Sequence, residues 1–438
     1  MQYIFKSLSL CYHLEEFGAE SAAKYIIQHH QDTNTVLFLD YLWECLHGRM
    51  ADKTDYFLYN LCKLTELLKI ARPTWKIFLL ANISLQHKNK ELAAAQFDDI
   101  LYIDYFVYRT VKEIIFEKKS PVIYRWPKHS DKFLFLTGKI ARANRIRLLY
   151  KFANANILDR CNWSLLFANN DIELLQAKLL LPELSSTEFS NFLHQYHRRL
   201  DNAVNIKHNS IKAIGNGYFY SNDAVVYDAS IYTNACFSVI SESHFASTNT
   251  PFITEKTYKA ILNKHPFIIA GDTNSLNHLN SFGFVTFENF LPVRDYDIIL
   301  DPERRLDAVV TNTKSFMDII KINSDDIEDC VAHNYANLLK IYQSIEQQIQ
   351  NFINKHCLEL GDKPLVRSKC QSELDEDALE PLIPITVTVQ KRKDTVFCDF
   401  YNSIKDDTWP ECHRESDYNQ LSDSIRKEMR NIFGYVEQ

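Results

Sequence analysis

Two stretches of the chain combine cations, hydroxyls and a helix start in a pattern suited to phosphate. The first is Thr254-Glu-Lys-Thr-Tyr-Lys-Ala-Ile-Leu262. Thr254 stands where an N-cap belongs, and Glu255 falls in the first turn, where the helix dipole favours a carboxylate. Lys256, in the same turn, can reach a phosphate held by the N–H groups of the helix start. Glu255 can accept hydrogen bonds from ribose hydroxyls, as acidic residues do in other nucleotide sites. The same spacing also describes an ordinary capped surface helix carrying Glu255, Lys256 and Lys259. The second stretch is Lys139-Ile-Ala-Arg-Ala-Asn-Arg-Ile-Arg147. Arg142 and Arg145, three apart, present planar forks that suit phosphate oxygens. A solvated basic helix face would look the same. Together these groups fit a diphosphate that leaves with growing negative charge, where Lys, Arg and a helix N-terminus can supply the countercharge.

Other constellations are weaker. Gly215-Asn-Gly217 is the only G-x-G and lacks the third glycine of a dinucleotide fingerprint. Asp295-Tyr-Asp297 and Asp375-Glu-Asp377 match D-x-D, but neither follows a convincing buried strand, so no metal is expected. The cysteines show no C-x-x-C pair and no zinc-finger spacing, which is the usage of reduced thiols. Transfer to a hydroxyl needs a general base. Asp40, closing a strand-like run, is the best-placed candidate, with Glu44 and Asp104 behind it; a structural role for Asp40 stands beside this one.

The elements that must position these residues follow from pattern. Thr35–Leu39, Trp75–Leu80 and Lys132–Leu136 are short apolar runs with polar or proline-containing borders, as buried strands have. Leu61, Leu64 and Leu68 give Asp55–Lys69 one apolar face, and Ile146, Leu148, Leu149 and Phe152 continue a helix beyond the Arg pair. After the Thr254 helix, Pro266–Gly271 reads as a buried strand, then Asn274–Phe282 as a helix closed by Gly283. Helices are expected over Glu303–Ile320 and Asp325–Lys355, the latter with Leu338, Tyr342, Ile345 and Ile349 in one stripe. Past Leu360 come an acidic run (Glu373–Asp377), Pro381 and Pro384, an expected strand at Ile385–Val389 and a turn at Asp406–Pro410.

The string Phe252–Gly271 resembles the C-terminal donor motif of the alpha-1,3-fucosyltransferase family, which reads aromatic-x-Thr-Glu-Lys, a helix, then a proline-containing strand ending in glycine. It is similar again to glycosyltransferases attributed to tailed bacteriophages. In those, the matching elements are Ser241-Glu-Ser-His-Phe245, Phe252–Lys256, His265-Pro-Phe267 and Gly283-Phe-Val-Thr-Phe287. The resemblance implies that Lys256 contacts the donor diphosphate, that Glu255 meets the ribose and that Glu242 lies near the donor sugar; a strand-end carboxylate with a structural hydrogen bond is the other reading of Glu242. The phage-type proteins carry a similar Arg-x-x-Arg with His before the second Arg; here Asn144 stands in that place. The resemblance also implies a base drawn from the N-terminal domain, where no stretch of this chain matches the family.

These readings give an α/β protein: two-lobed and GT-B-like, with a Rossmann-like donor domain and a C-terminal extension. The expected domains are an acceptor-side domain at 1–128, a donor-binding domain at 129–350 and the extension at 351–438. The 438 residues, 46% hydrophobic, suffice for more than one core. The net charge of −7 argues against duplex DNA as a default partner, although a local basic groove can still serve a nucleic-acid acceptor. The expected partners are a nucleotide-sugar donor and a glycan or hydroxylated-base DNA acceptor, with no cofactor beyond the donor. No run reaches a membrane span and no signal peptide is evident, so a cytoplasmic location is expected, in the host if the chain is phage-encoded.

Overall fold

The computed structural model describes residues 2–6, 8–30, 35–41, 54–83, 92, 96–117, 126–137, 140, 142–165, 171–197, 213–214, 217–218, 230–245, 251–358, 360 and 365. They form two compact units. The first draws on Met1–Arg109 and Ile341–Arg392, and the second on Thr110–Lys340. Both are α/β, each built on a four-stranded parallel sheet.

In the first unit, β1 (Gln2–Lys6), β2 (Thr35–Tyr41), β3 (Lys76–Asn82) and β4 (Asp99–Ile103) pair in sequence order. Strand periodicity explains its two faces. Leu37, Leu39, Ile77, Leu79 and Ala81 share a core with Ala19, Ala22, Ala23 and Ile26 of α1 (Leu8–His29) and Leu61, Leu64 and Leu68 of α2 (Thr54–Ala71). Right-handed crossovers that always advance in one direction leave both helices on that face. The opposite face shows Phe38 stacked on Phe78, with ring centroids 5.5 Å apart. Phe352 and His356 cover Phe78 at 5.2 and 4.6 Å. They lie at the end of the last helix and just beyond it. Lys355 Nζ and His356 Nε2 fasten that end to Asp99 Oδ2 at 2.6 and 2.8 Å. The expected strands at 35–39 and 75–80 and the helix at 55–69 are present. β1 and β4 went unread. β4 carries the short apolar run Ile100–Ile103 between Asp99 and Asp104, a strand pattern the sequence reading did not use.

The second unit places β5 (Phe133–Thr137), β6 (Cys161–Leu165), β9 (Phe237–Ser241) and β10 (Phe267–Ala270) in the order β10-β9-β5-β6. The chain runs from β5 outward to β6. It then returns past α5 (Asp171–Leu179), α6 (Ser186–His197), the two-residue strands β7 (Ala213–Ile214) and β8 (Gly217–Tyr218), and α7 (Ser230–Thr233), to lay β9 against the other side of β5. The direction of winding therefore reverses between β5 and β9. Phe133 and Phe135 both meet Phe152 of α4 (Ala143–Asn154) edge-on, at 5.4 and 5.2 Å. Phe237 stacks on Phe133 and receives Phe316 of α10 (Pro302–Ile322) at 5.1 Å, so α4 and α10 share one face. Arg147 joins these two helices through Glu303, and Lys151 does so through Asp307 at 2.6 Å. The crossover from β9 through α8 (Glu255–Leu262) to β10 winds the other way, which puts α8 on the opposite face.

Helix α9 (Ser275–Ser281) ends as its sequence suggests. Gly283, at φ 80°, takes the C′ position, with its N–H on Asn280 O and that of Phe284 on Leu279 O. Its start is capped from a distance. Asn274 is left-handed at φ 64° and makes no side-chain cap; Asp297 caps instead, accepting the Leu276 N–H at 2.9 Å. Asp297 of the D-x-D pair is thus turned inward, and burial raises its carboxyl above the usual range. The last helix, α11 (Ser324–Lys355), begins in the second unit and ends in the first. Its stripe of Leu338, Tyr342, Ile345 and Ile349 is buried along its length. The units change over at 109/110 and 340/341, whereas the sequence reading drew its borders at 128 and 350. The acidic run at 373–377, the strand at 385–389 and the turn at 406–410 lie outside the described residues. No helix among the described residues is long and apolar enough to cross a membrane.

Candidate functional site

Reversal of winding opens a crevice at the carboxyl ends of the two central strands, where ligands bind in open parallel sheets. Here those strands are β5 and β9. β9 ends at Ser241, and Glu242 prolongs the ladder with its N–H on Ala270 O at 3.1 Å. Gly271 then permits the close approach. A Cβ there would stand 3.2 Å from Glu242 Cβ and 3.1 Å from Ile269 Cγ2.

The Glu242 carboxylate is wholly shielded from solvent. It is turned to the start of α8, where four donors meet it. Thr254 Oγ1 donates at 2.5 Å and Thr257 Oγ1 at 2.6 Å. The backbone N–H groups of Thr254 and Ser243 add bonds of 3.2 and 3.3 Å. A buried charge is tolerable only with such complete hydrogen bonding. Thr254 occupies the N-cap position with extended backbone, yet its hydroxyl does not cap the helix. Its proton goes to Glu242, and its oxygen accepts from Lys256 Nζ where a cap would accept from the helix N–H groups.

Lys256 extends along this cluster. Its Nζ donates to Glu255 Oε1 at 3.0 Å, Thr254 Oγ1 at 3.1 Å and Ser243 Oγ at 3.2 Å. Burial of Glu255 would raise its carboxyl. The charges of Lys256 and Lys259, with the Lys256 and backbone hydrogen bonds, together outweigh that effect and hold it below the usual range.

The start of α4 reaches the same strand ends. Asn144 Nδ2 donates to Glu242 O at 2.9 Å and to Ala270 O at 2.8 Å, stapling α4 across β9 and β10. Arg142 holds the N-cap position of α4 and Arg145 lies in its first turn, 4% exposed. Sequence reasoning met Asn144 only as a departure from the Arg-x-x-Arg pattern of the resemblance, and gave no role to Ser243 or Thr257. An amide or hydroxyl carries no periodic signal, and only the sheet order shows what it bridges. Arg305 of α10 also escaped notice. Its guanidinium lies 4.1 Å over the Phe245 ring and donates to Phe245 O at 3.3 Å, steadying the segment that follows Glu242.

His265, within the His-Pro-Phe element, is a core residue. Nε2 sits 2.7 Å from Tyr232 O and Nδ1 2.9 Å from Ser238 Oγ, and burial pushes its pKa down to about 4. The neutral ring therefore donates to the carbonyl and accepts from the serine. Of the base candidates, Asp104 caps α3 (Tyr105–Val111), accepting the Val107 N–H at 3.0 Å. Asp40 lies one residue before the end of β2, opposite Leu80; its side chain, and all of Glu44, fall outside what the structure describes. Among the described residues, no three His, Cys, Asp or Glu side chains gather as metal ligands would.

Fold and site define an α/β protein with parallel sheets, compatible with a Rossmann-like unit carrying a polar cluster at its switch point. No protein-family model, no curated protein and no solved structure matches the chain.

Proposed function

We propose that the chain is a glycosyltransferase of the two-lobed GT-B kind, moving a sugar from a nucleotide-sugar donor to a hydroxyl. Lys256, with Arg142 and Arg145, meets the donor diphosphate, and Glu255 takes the ribose hydroxyls. Glu242 anchors the start of α8 behind them, and Asp40 is the general base for the acceptor. The acceptor is a glycan or a hydroxylated base in phage DNA. The reading rests on one observation: the starts of α4 and α8 are both fastened to Glu242, at the carboxyl end of β9 beside the winding reversal. Two helix N-termini at such a crevice, with Lys256 in the first turn of one and Arg142 and Arg145 at the start of the other, suit a diphosphate, which gains charge as it leaves.

A thermal-shift screen against GDP, UDP, CDP and their sugars tests the donor half. A ligand well above its dissociation constant raises the melting temperature, and the best one identifies the donor base. Lys256→Ala and Arg145→Ala are expected to abolish that shift; unchanged nucleotide affinity in both refutes the reading. Transfer assays on oligosaccharides and on hydroxymethylated DNA then separate the acceptors, with Asp40→Asn expected to stop transfer while sparing donor binding. Tight binding without turnover on any donor would make the chain a nucleotide-binding protein instead.

A further inference from the structure

The hydrogen bonds at the start of α8 have a direction. The Glu242 carboxylate only accepts, so the single Thr254 hydroxyl proton points to its Oε2, at 2.5 Å. An ammonium only donates, so the Lys256 contact of 3.1 Å runs from Nζ to the Thr254 oxygen. Thr254 is 1% exposed and Glu242 fully enclosed, whereas the Lys256 side chain keeps 18% of its surface open. Thr254 thus stands between a sealed carboxylate and a cation that solvent can reach. Thr257 makes an equivalent bond to the other carboxylate oxygen, at 2.6 Å, and is absent from the bonds made by Lys256.

We propose that Thr254 is a positioning residue for Lys256. Its hydroxyl, oriented by Glu242, presents an oxygen to the ammonium and so fixes where the cation meets a phosphate, without touching that phosphate itself. The proposal rests on the reading above, in which the start of α8 holds a diphosphate. It separates the two threonines: both stabilise Glu242, but only Thr254 transmits that order to the cation.

Inorganic pyrophosphate, titrated calorimetrically into the full chain at fixed ionic strength, is the probe. Lys256→Ala is expected to weaken binding about tenfold, and Thr254→Val by a similar factor, in line with bonds to a charged group. Thr254→Ser retains the oxygen and should bind within about twofold of the wild type. Thr257→Val is the matched control: it takes a hydroxyl from the same carboxylate, so it should lower the urea midpoint while leaving affinity unchanged. The double variant Thr254→Val/Lys256→Ala should bind no more weakly than Lys256→Ala alone, because the two residues act as one unit. If Thr254→Val does not fold, Thr254→Ala takes its place in the cycle. Wild-type affinity in the Thr254 variant, multiplicative losses in the double variant, or an equal loss in Thr257→Val each overturns the positioning role and leaves the diphosphate site standing. Absence of pyrophosphate binding in the wild type, or indifference to Lys256→Ala, overturns the site reading and the proposal with it.

Discussion

His265 shows how one buried side chain couples the second unit to pH. Its ring stays neutral in the fold down to about 4, against an ordinary value of 6.5. Above pH 6.5 it is neutral in both folded and unfolded chains, and its contribution is complete. As pH falls from 6.5 towards 4, the unfolded chain takes up a proton that the fold refuses, and stability declines; below that the loss levels off. The interval corresponds to on the order of 3 kcal/mol. Urea unfolding of the wild type and His265→Gln at pH 7, 6, 5 and 4.5 reads this directly. The wild type should lose more stability than the variant on acidification; parallel curves would show that the ring titrates normally. Two cysteines of this unit are shielded in the same way: burial raises the Cys236 thiol to about 12 and that of Cys161 well above its ordinary value. Neither is suited to act as a nucleophile near neutral pH.

At the scale of elements, much of the second unit is held by side-chain amides that bond loop backbone as a neighbouring strand would. Asn334 of α11 brackets Val285, accepting its N–H at 2.7 Å and donating to its carbonyl at 2.8 Å. Asn312 of α10 does the same for Val293, at 3.0 Å each way. Asn144 belongs with them, but it joins a helix start to two strand ends. Asn144→Ala would strand the buried Glu242 carbonyl, while the Ala270 carbonyl keeps the Glu242 N–H, so the loss should be about 1–3 kcal/mol. Equilibrium urea denaturation with an unchanged m-value measures it; a loss below about 0.5 kcal/mol would mean that water replaces the amide. Asp297 is the corresponding device at α9, and it sits more than 20 residues from the helix start it caps.

For the whole molecule, the sheet of the first unit is the instructive case. Its strands advance in one direction, so its own helices cover a single face and leave Phe38 and Phe78 on the other. The end of α11 closes that face with Phe352, which makes this part of the chain integral to the unit. Phe352→Ala should therefore cost about 3–5 kcal/mol, the usual range for a buried phenylalanine. Chemical denaturation followed by far-UV circular dichroism would show it. A cost near zero would mean that other groups cover Phe78.

The sequence by itself determined the local elements wherever one period dominates: β2, β3, β5 and β10 as apolar runs, α2, α8 and α10 as striped helices, and Gly283 as a helix terminator. It also singled out Thr254, Glu255 and Lys256 at one helix start, and Glu242 through the family resemblance. Tertiary structure decided the rest. The edge strands β1 and β4 are short, and their places in the sheet are set by pairing with β2 and β3. The hydroxyl of Thr254 bonds a carboxylate 12 residues away, so nothing in its own helix reveals that it does not cap. The winding reversal, which sets Asn144 against Glu242 across 98 residues, is a property of strand order. Strand order is fixed by which faces must be covered and by the handedness of crossovers, and no short window of sequence contains either.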